Sequence, residues 1–172
     1  WLMSGQSNSV YDISLIEDKT LNFRFVIADG LLSDTMSVIG KYINSLRLSG
    51  INVSATEDEK ENYSGTEVFI GTVTGRSDKY IIDKYMLGKE GFVVTAIDNK
   101  VIVEGGSEES LAFAIELFFE VILGVYLNRT YEIDDVVFTS DDVLIEIQSS
   151  LFKNSAILSK GIKLSYKADG AS

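Results

Sequence analysis

No cysteine, no histidine and no proline occurs in this 172-residue chain. Without cysteine there is no disulfide, no thiolate nucleophile and no Cys-ligated metal, so thiol chemistry gives no hint of the compartment. The missing histidine removes the side chain that most often shuttles protons or ligates zinc near neutral pH, which leaves carboxylates, Tyr, Lys or Ser for any chemistry. No Pro-rich linker, low-complexity stretch or internal repeat divides the sequence, and no uninterrupted apolar run approaches the ~20 residues of a membrane helix. Positive charge is also scarce: 15 Lys+Arg stand against 26 Asp+Glu, a formal net charge of -11 and a pI near 4.4. Such a balance repels phosphate backbones and anionic lipid headgroups within a Debye length of roughly 10 Å, which argues against nucleic-acid binding and membrane association.

What is present is a hydrophobic content of 45%, too high for disorder. At 19.0 kDa one domain that buries roughly 70% of its unfolded surface is expected. The reading is a single α/β domain over residues 1–148, with 149–172 as an extension of undecided structure. No charged, apolar and small-residue leader opens the chain, and the first residue, Trp1, suggests a fragment or processed product.

Hydrophobic periodicity places the elements. Tyr11 to Ile16 and Asn22 to Ala28 read as strands, followed by a turn at Asp29-Gly30. A helix is expected from Ser33 or Asp34, either of which can cap it, with Met36, Ile39, Ile43 and Leu46 on one face and Gly50 as its stop. Ile51 to Ala55 predicts a short strand, Thr56 to Ser64 an exposed loop, Thr66 to Gly71 a compact strand, Thr72 to Asp78 a polar connection and Lys79 to Leu87 a short helix. Then comes a hairpin from Phe92 to Val103 that turns at Asp98 and Asn99, a double glycine at Gly105-Gly106, and a helix capped by Ser107 that runs to Gly124. Further strands are expected at Asp135 to Thr139 and Val143 to Ile147. The class is α/β: a mixed, mostly antiparallel sheet with two or three helices mainly on one face.

The helix after Ser107 is apolar over most of its circumference. Leu111, Ile115, Phe118 and Ile122 form one stripe, while Phe113, Leu117, Phe119 and Val121 cover much of the rest and only Glu109, Glu116 and Glu120 mark a wet face. Such a helix is normally covered on more than one side, by the C-terminal segment or by a neighbouring domain or second copy.

Candidate chemistry is sparse. Trp1 to Asn8, WLMSGQSN, looks like the first block of SGNH-type carbohydrate esterases and would make Ser7 the nucleophile. That family completes its triad with a histidine, which this chain lacks, so the triad cannot be assembled. Gly71 to Ser77 is one residue short of a phosphate-loop pattern and carries Arg76 in place of its lysine, which favours a structural turn. Glu108 and Glu109 after Gly105-Gly106-Ser107 would repel a phosphate and indicate helix capping. The acidic runs Asp134-Asp135, Asp141-Asp142 and Glu57-Asp58-Glu59 read as solvated loop charge, because adjacent residues on a strand point to opposite faces and form no dyad by themselves. Tyr11, Tyr42, Tyr63, Tyr80, Tyr85, Tyr126 and Tyr131 are candidate sugar platforms, most of them expected to be half-buried. No residue is assigned a catalytic, cofactor-binding or metal-binding role, and no cofactor is expected.

Several stretches together carry a resemblance: FRFVIADG, then TEVFIGTVTGRSD, then GFVVTAIDNKVIVEGGSEESLAFAIELFFEVILGV. They are similar to the non-catalytic N-terminal α/β domain that precedes the barrel of bacterial β-N-acetylhexosaminidases and α-glucuronidases, the hexosaminidase-like domain 2. The shared marks are the strand Glu67 to Gly71, the strand that ends in Gly105-Gly106 and the helix that ends at Leu123 to Val125, within a family-like core of about residues 22–126. The resemblance implies a sheet with helices mainly on one face, set beside a catalytic or carbohydrate-binding module of a secreted or cell-surface protein. It implies no catalytic residue here, since the enzymes keep their carboxylates in the barrel. The expected partner is a neighbouring domain of the same polypeptide, with carbohydrate as a further candidate and no nucleic acid or membrane insertion. The alternatives are a stand-alone glycan-binding or adhesion module using exposed Tyr and acidic loops and, more remotely, a GQSN-type esterase fragment.

Overall fold

The structure, a computed structural model, describes residues 12–127, 130 and 132–139, and the backbone of 143–147. Ser7, Tyr11, Tyr131, Asp141-Asp142 and the segment 148–172 lie outside the described residues. In chain order the strands are β1 (Asp12–Glu17), β2 (Thr20–Leu21), β3 (Arg24–Ile27), β4 (Ala55–Glu57), β5 (Glu67–Ile70), β6 (Gly91–Ile97), β7 (Lys100–Gly105), β8 (Val136–Thr139) and β9 (Val143–Ile147). The helices are α1 (Ser33–Leu48), α2 (Lys84–Leu87) and α3 (Glu108–Glu116), which continues into a π-helical segment over Leu117–Ile122, and a 3₁₀ turn spans Asp78–Tyr80.

Six strands form one sheet in the order β9-β6-β7-β5-β3-β4, and β2-β1-β8 form a second, antiparallel one. In the larger sheet β7, β5, β3 and β4 run parallel, while β6 pairs antiparallel with both β7 and β9. Over both sheets four pairings are antiparallel and three parallel. The chain is therefore an α/β fold, as its pattern predicts, with its strands divided between a mixed sheet and a smaller antiparallel one instead of forming a single sheet.

Alternation along the strands sorts two apolar layers. Phe25, Ile27, Val68, Ile70, Phe92, Val94, Val101 and Val103 meet Ile39, Tyr42 and Leu46 of α1 and Leu111, Ile115, Phe118 and Phe119 of the last helix, with Leu15 and Phe138 of the second sheet in the same cluster. The opposite face carries a thinner layer of Val26, Phe69 and Ile102, covered by Val73, Tyr80 and Ile82 of the segment between β5 and α2.

The helix after Ser107 gains its second layer from inside the domain. Leu123 N donates to the Phe118 carbonyl five residues back, and this wider winding lets the adjacent Phe118 and Phe119 both point inward. Phe119 stacks on Tyr42 with ring centroids 4.6 Å apart and on Phe25 at 5.4 Å, while Phe118 meets Phe23 and Phe25 edge-on. Its cover on that side is α1 and the sheet. Glu120, expected on the wet face, is half-buried and accepts the Tyr42 hydroxyl at 2.5 Å. Burial and that hydrogen bond push the Tyr42 phenol well above its ordinary range. Phe113 and Val121 remain exposed.

Several local expectations shift. Asp18 and Lys19, at φ 50° and 62°, make a tight turn that pairs β1 with a short β2, so the strand expected from Asn22 begins only at Arg24. Neither Ser33 nor Asp34 caps α1: Leu32 holds that position and its N–H is taken by Glu108 Oε2 from across the fold. Met36 faces outward, and Tyr42 takes a place in the core instead. The strand expected at Ile51 to Ala55 lies at Ala55–Glu57, and the helix expected at Lys79 to Leu87 is split, with Asp83 capping α2 through the Tyr85 N–H. The Gly105-Gly106 pair sits where it does for steric reasons: a Cβ at Gly105 would lie 2.3 Å from Leu111 N, and one at Gly106 would lie 1.6 Å from the Gly88 carbonyl oxygen.

Candidate functional site

The three parallel strands at the centre of the large sheet each begin with a charged residue, and their register aligns all three. Arg24 pairs with Glu67, and Glu67 pairs with Lys100. Because Phe25, Val68 and Val101 face the helices, alternation sends Arg24, Glu67 and Lys100 to the opposite face. Glu67 is fully buried there. Its carboxylate accepts Arg24 Nε at 2.7 Å, Lys100 Nζ at 2.9 Å, and both Nε (3.1 Å) and Nη2 (2.9 Å) of Arg76, which arrives from the loop after β5. Burial by itself would raise the Glu67 pKa, but the hydrogen bonds from Arg76, Lys100 and Arg24 outweigh it and hold the carboxyl below its usual range.

The same cations pin the long connection between β4 and β5. Lys100 Nζ also donates to the carbonyls of Tyr63 and Gly65, Arg76 Nη1 to that of Glu59, and Asn99 Nδ2 to that of Ser64. Asp58 completes the clamp by accepting the backbone N–H groups of Thr74 and Gly75, both at 2.7 Å. The Gly71 to Ser77 segment, phosphate-loop-like in sequence, thus receives an anion from its own chain. Gly75 is required at that contact, since a Cβ there would fall 2.1 Å from the Glu59 carbonyl oxygen.

Between the two pinned loops lies an open groove of about 580 Å³, with Lys60, Glu61 and Tyr63 on one side, Ser77, Lys79 and Tyr80 on the other, and Arg76 and Lys100 beneath. The Arg24 guanidinium carbon sits 3.7 Å from the centre of the Tyr63 ring, a cation–π contact. Arg24 Nη2 forms an ion pair with Glu61 Oε2 at 2.9 Å. At the rim Asp98 pairs with Lys79 at 2.5 Å and accepts the Tyr80 hydroxyl, and the Lys79 hydrogen bond lowers its pKa.

A second, smaller cavity of about 200 Å³ opens at the other end of the parallel strands, where α1 leads from β3 to one side while β5 continues on the other. Open α/β sheets commonly bind ligands at such a switch. Here Thr72, Glu104 and Ser107, which line it, are paired within the chain. The buried Glu104 carboxylate holds Thr72 Oγ1 at 2.5 Å and the Gly105 N–H, and Ser107 and Ser110 close a reciprocal capping box at the start of α3.

The other sequence candidates are dispersed. Tyr42 is core, Tyr80 is half-buried, and Tyr63, Tyr85 and Tyr126 are exposed. Asp135 accepts the Asp18 N–H in the β1–β2 turn, and Asp134 is exposed at its side. Among the described residues no three acidic side chains converge as a metal site, and no helix is long and apolar enough to cross a membrane. Sequence reasoning missed the Arg24–Glu67–Arg76–Lys100 cluster. Its one signal is a charged residue opening each of three otherwise apolar strands.

No family model matches the sequence, and no curated protein matches it. A solved structure of CpGH84D, a glycoside hydrolase family 84 enzyme, is similar over 75% of this chain, with 16% identity and a TM-score of 0.42. The match spans 21% of that protein's length.

Proposed function

We propose that this chain is a non-catalytic accessory domain of a larger secreted or cell-surface carbohydrate-active protein, where it supports or orients a neighbouring module. The observation that carries this reading is the apolar surface left open beside the last helix. On α2, Tyr85 is 96% and Met86 80% exposed, and Phe113 and Val121 are exposed on α3 and its extension. Phe113 shares a shallow depression with Lys89 and Glu90, which follow α2, so the two elements are neighbours. Exposed apolar side chains on neighbouring elements are the kind of surface on which a partner packs. The sequence resemblance supplies the kind of neighbour, a glycoside-hydrolase barrel or a carbohydrate-binding module.

Hydrogen exchange tests the reading. In the parent polypeptide the amides of α2 and of the outer turn at Phe113 are expected to exchange more slowly than in the 172-residue chain. Replacing Tyr85 and Met86 by Asp should destabilise the parent and leave the isolated chain within about 0.5 kcal/mol of its original stability, as for ordinary surface substitutions. Equal effects in both, or a native reading frame with no further domain, would refute the accessory role.

A further inference from the structure

The groove between residues 60–63 and 75–80 reverses the charge of an otherwise acidic chain. Four cations and one carboxylate line it. With Arg24 and Glu67 beside it, Asp98 paired to Lys79 and Asp58 held on the Gly75 N–H, the tally is five cations to four carboxylates, in a chain of net charge -11. Three of those cations are withdrawn from solvent: the side chains of Arg24, Arg76 and Lys100 are 19%, 3% and 4% exposed. One fully buried carboxylate, Glu67, answers them, and the second anion is Glu61, whose side chain is 39% exposed on the groove wall. A low-dielectric surplus of positive charge favours an anion at its mouth. Two tyrosine rings flank that mouth, and tyrosine faces pack well against sugar rings. The walls are already fixed by the Asp58, Arg76, Lys100 and Asn99 hydrogen bonds to backbone, so a ligand would order little on binding.

We propose that this groove binds an anionic glycan, the Tyr63 and Tyr80 rings taking sugar faces and a ligand carboxylate or sulfate replacing Glu61 beside Arg24. Glu61 is then a placeholder anion carried by the chain itself. The charge argument is independent of the accessory role; that the anion belongs to a sugar rests on the proposed carbohydrate association.

Calorimetric titration of the 172-residue chain with oligogalacturonate, a heparin-derived oligosaccharide, maltohexaose and inorganic phosphate tests it. At least one of the two charged oligosaccharides should bind saturably, the preferred one naming the ligand's acid, while maltohexaose and phosphate give no comparable heat. Raising NaCl from about 0.05 to about 0.5 M should weaken binding about tenfold. Glu61→Gln, which removes the internal competitor, should tighten it about fivefold, and Lys60→Glu should weaken it about fivefold. Unchanged melting temperatures will show that both variants fold. Silence from both charged oligosaccharides, equally tight phosphate binding, or indifference to both substitutions overturns the proposal. Loss of glycan binding with α2 still protected in the parent polypeptide would refute the groove alone, and the converse would refute the accessory role alone.

Discussion

Replacing Glu67 by Gln keeps the side-chain volume and one acceptor but removes the single buried negative charge that three cations share. The nearest contacts from Arg24, Arg76 and Lys100 are 2.7, 2.9 and 2.9 Å, too short to be screened by water. Breaking a buried ion pair by removing one partner costs roughly 3–5 kcal/mol, mostly because the remaining charge stays desolvated. A domain of this kind has only about 5–15 kcal/mol in hand. At roughly 2–4 °C per kcal/mol for a chain of this length, the melting temperature should fall by about 10 °C. The pH dependence gives a second readout. Glu67 is held below its ordinary value of 4.5 in the folded state, so the stability it contributes is present above that pH and is lost as pH falls through the depressed folded value. Urea unfolding followed by circular dichroism should therefore show wild-type stability falling below about pH 4.5, with a flatter profile for Glu67→Gln. A variant within about 0.5 kcal/mol of wild type, or one with the same acid slope, would refute the view that this cluster holds the loops to the sheet.

Phe119→Ala should cost about 3–5 kcal/mol in the isolated chain, because the ring is packed between Tyr42 and Phe25 and leaves a cavity there; a loss below about 1 kcal/mol by chemical denaturation would contradict that packing. Gly106→Ala should cost at least about 2 kcal/mol, since its methyl would land on the Gly88 carbonyl and force α2 away from β7. A melting temperature equal to wild type would show that the two turns are not in contact.

Much of the architecture is legible in local pattern. The Asp98-Asn99 turn, the Ser107 cap and the stop at Gly50 each depend on residues within one turn of the chain, and each stands where the pattern puts it. The errors share a cause. Leu32, and not Ser33, stands at the start of α1 without a side-chain cap, and its N–H is tied to Glu108, 76 residues away. Met36 yields its core place to Tyr42 because Phe119 and Glu120 meet that ring and its hydroxyl. The apolar circumference of the last helix is shared between the domain's own second layer, reached through a π-helical winding, and an open flank at Phe113 and Val121. No window of sequence separates those two sides, since both are simply apolar.

By itself the sequence determined the α/β class, the order of most elements and the scarcity of groups for proton transfer, because periodicity, capping and composition act over a few residues. Only the tertiary structure decided the strand order and, with it, the groove. Arg24, Glu67 and Lys100 are separated by 43 and 33 positions, and they become neighbours because three parallel strands align in one register. Parallel pairing requires long crossovers, so its register is set by how α1 and the β6–β7 hairpin pack on the sheet. Charge that reads as solvated surface along the chain is thereby gathered into a buried cluster.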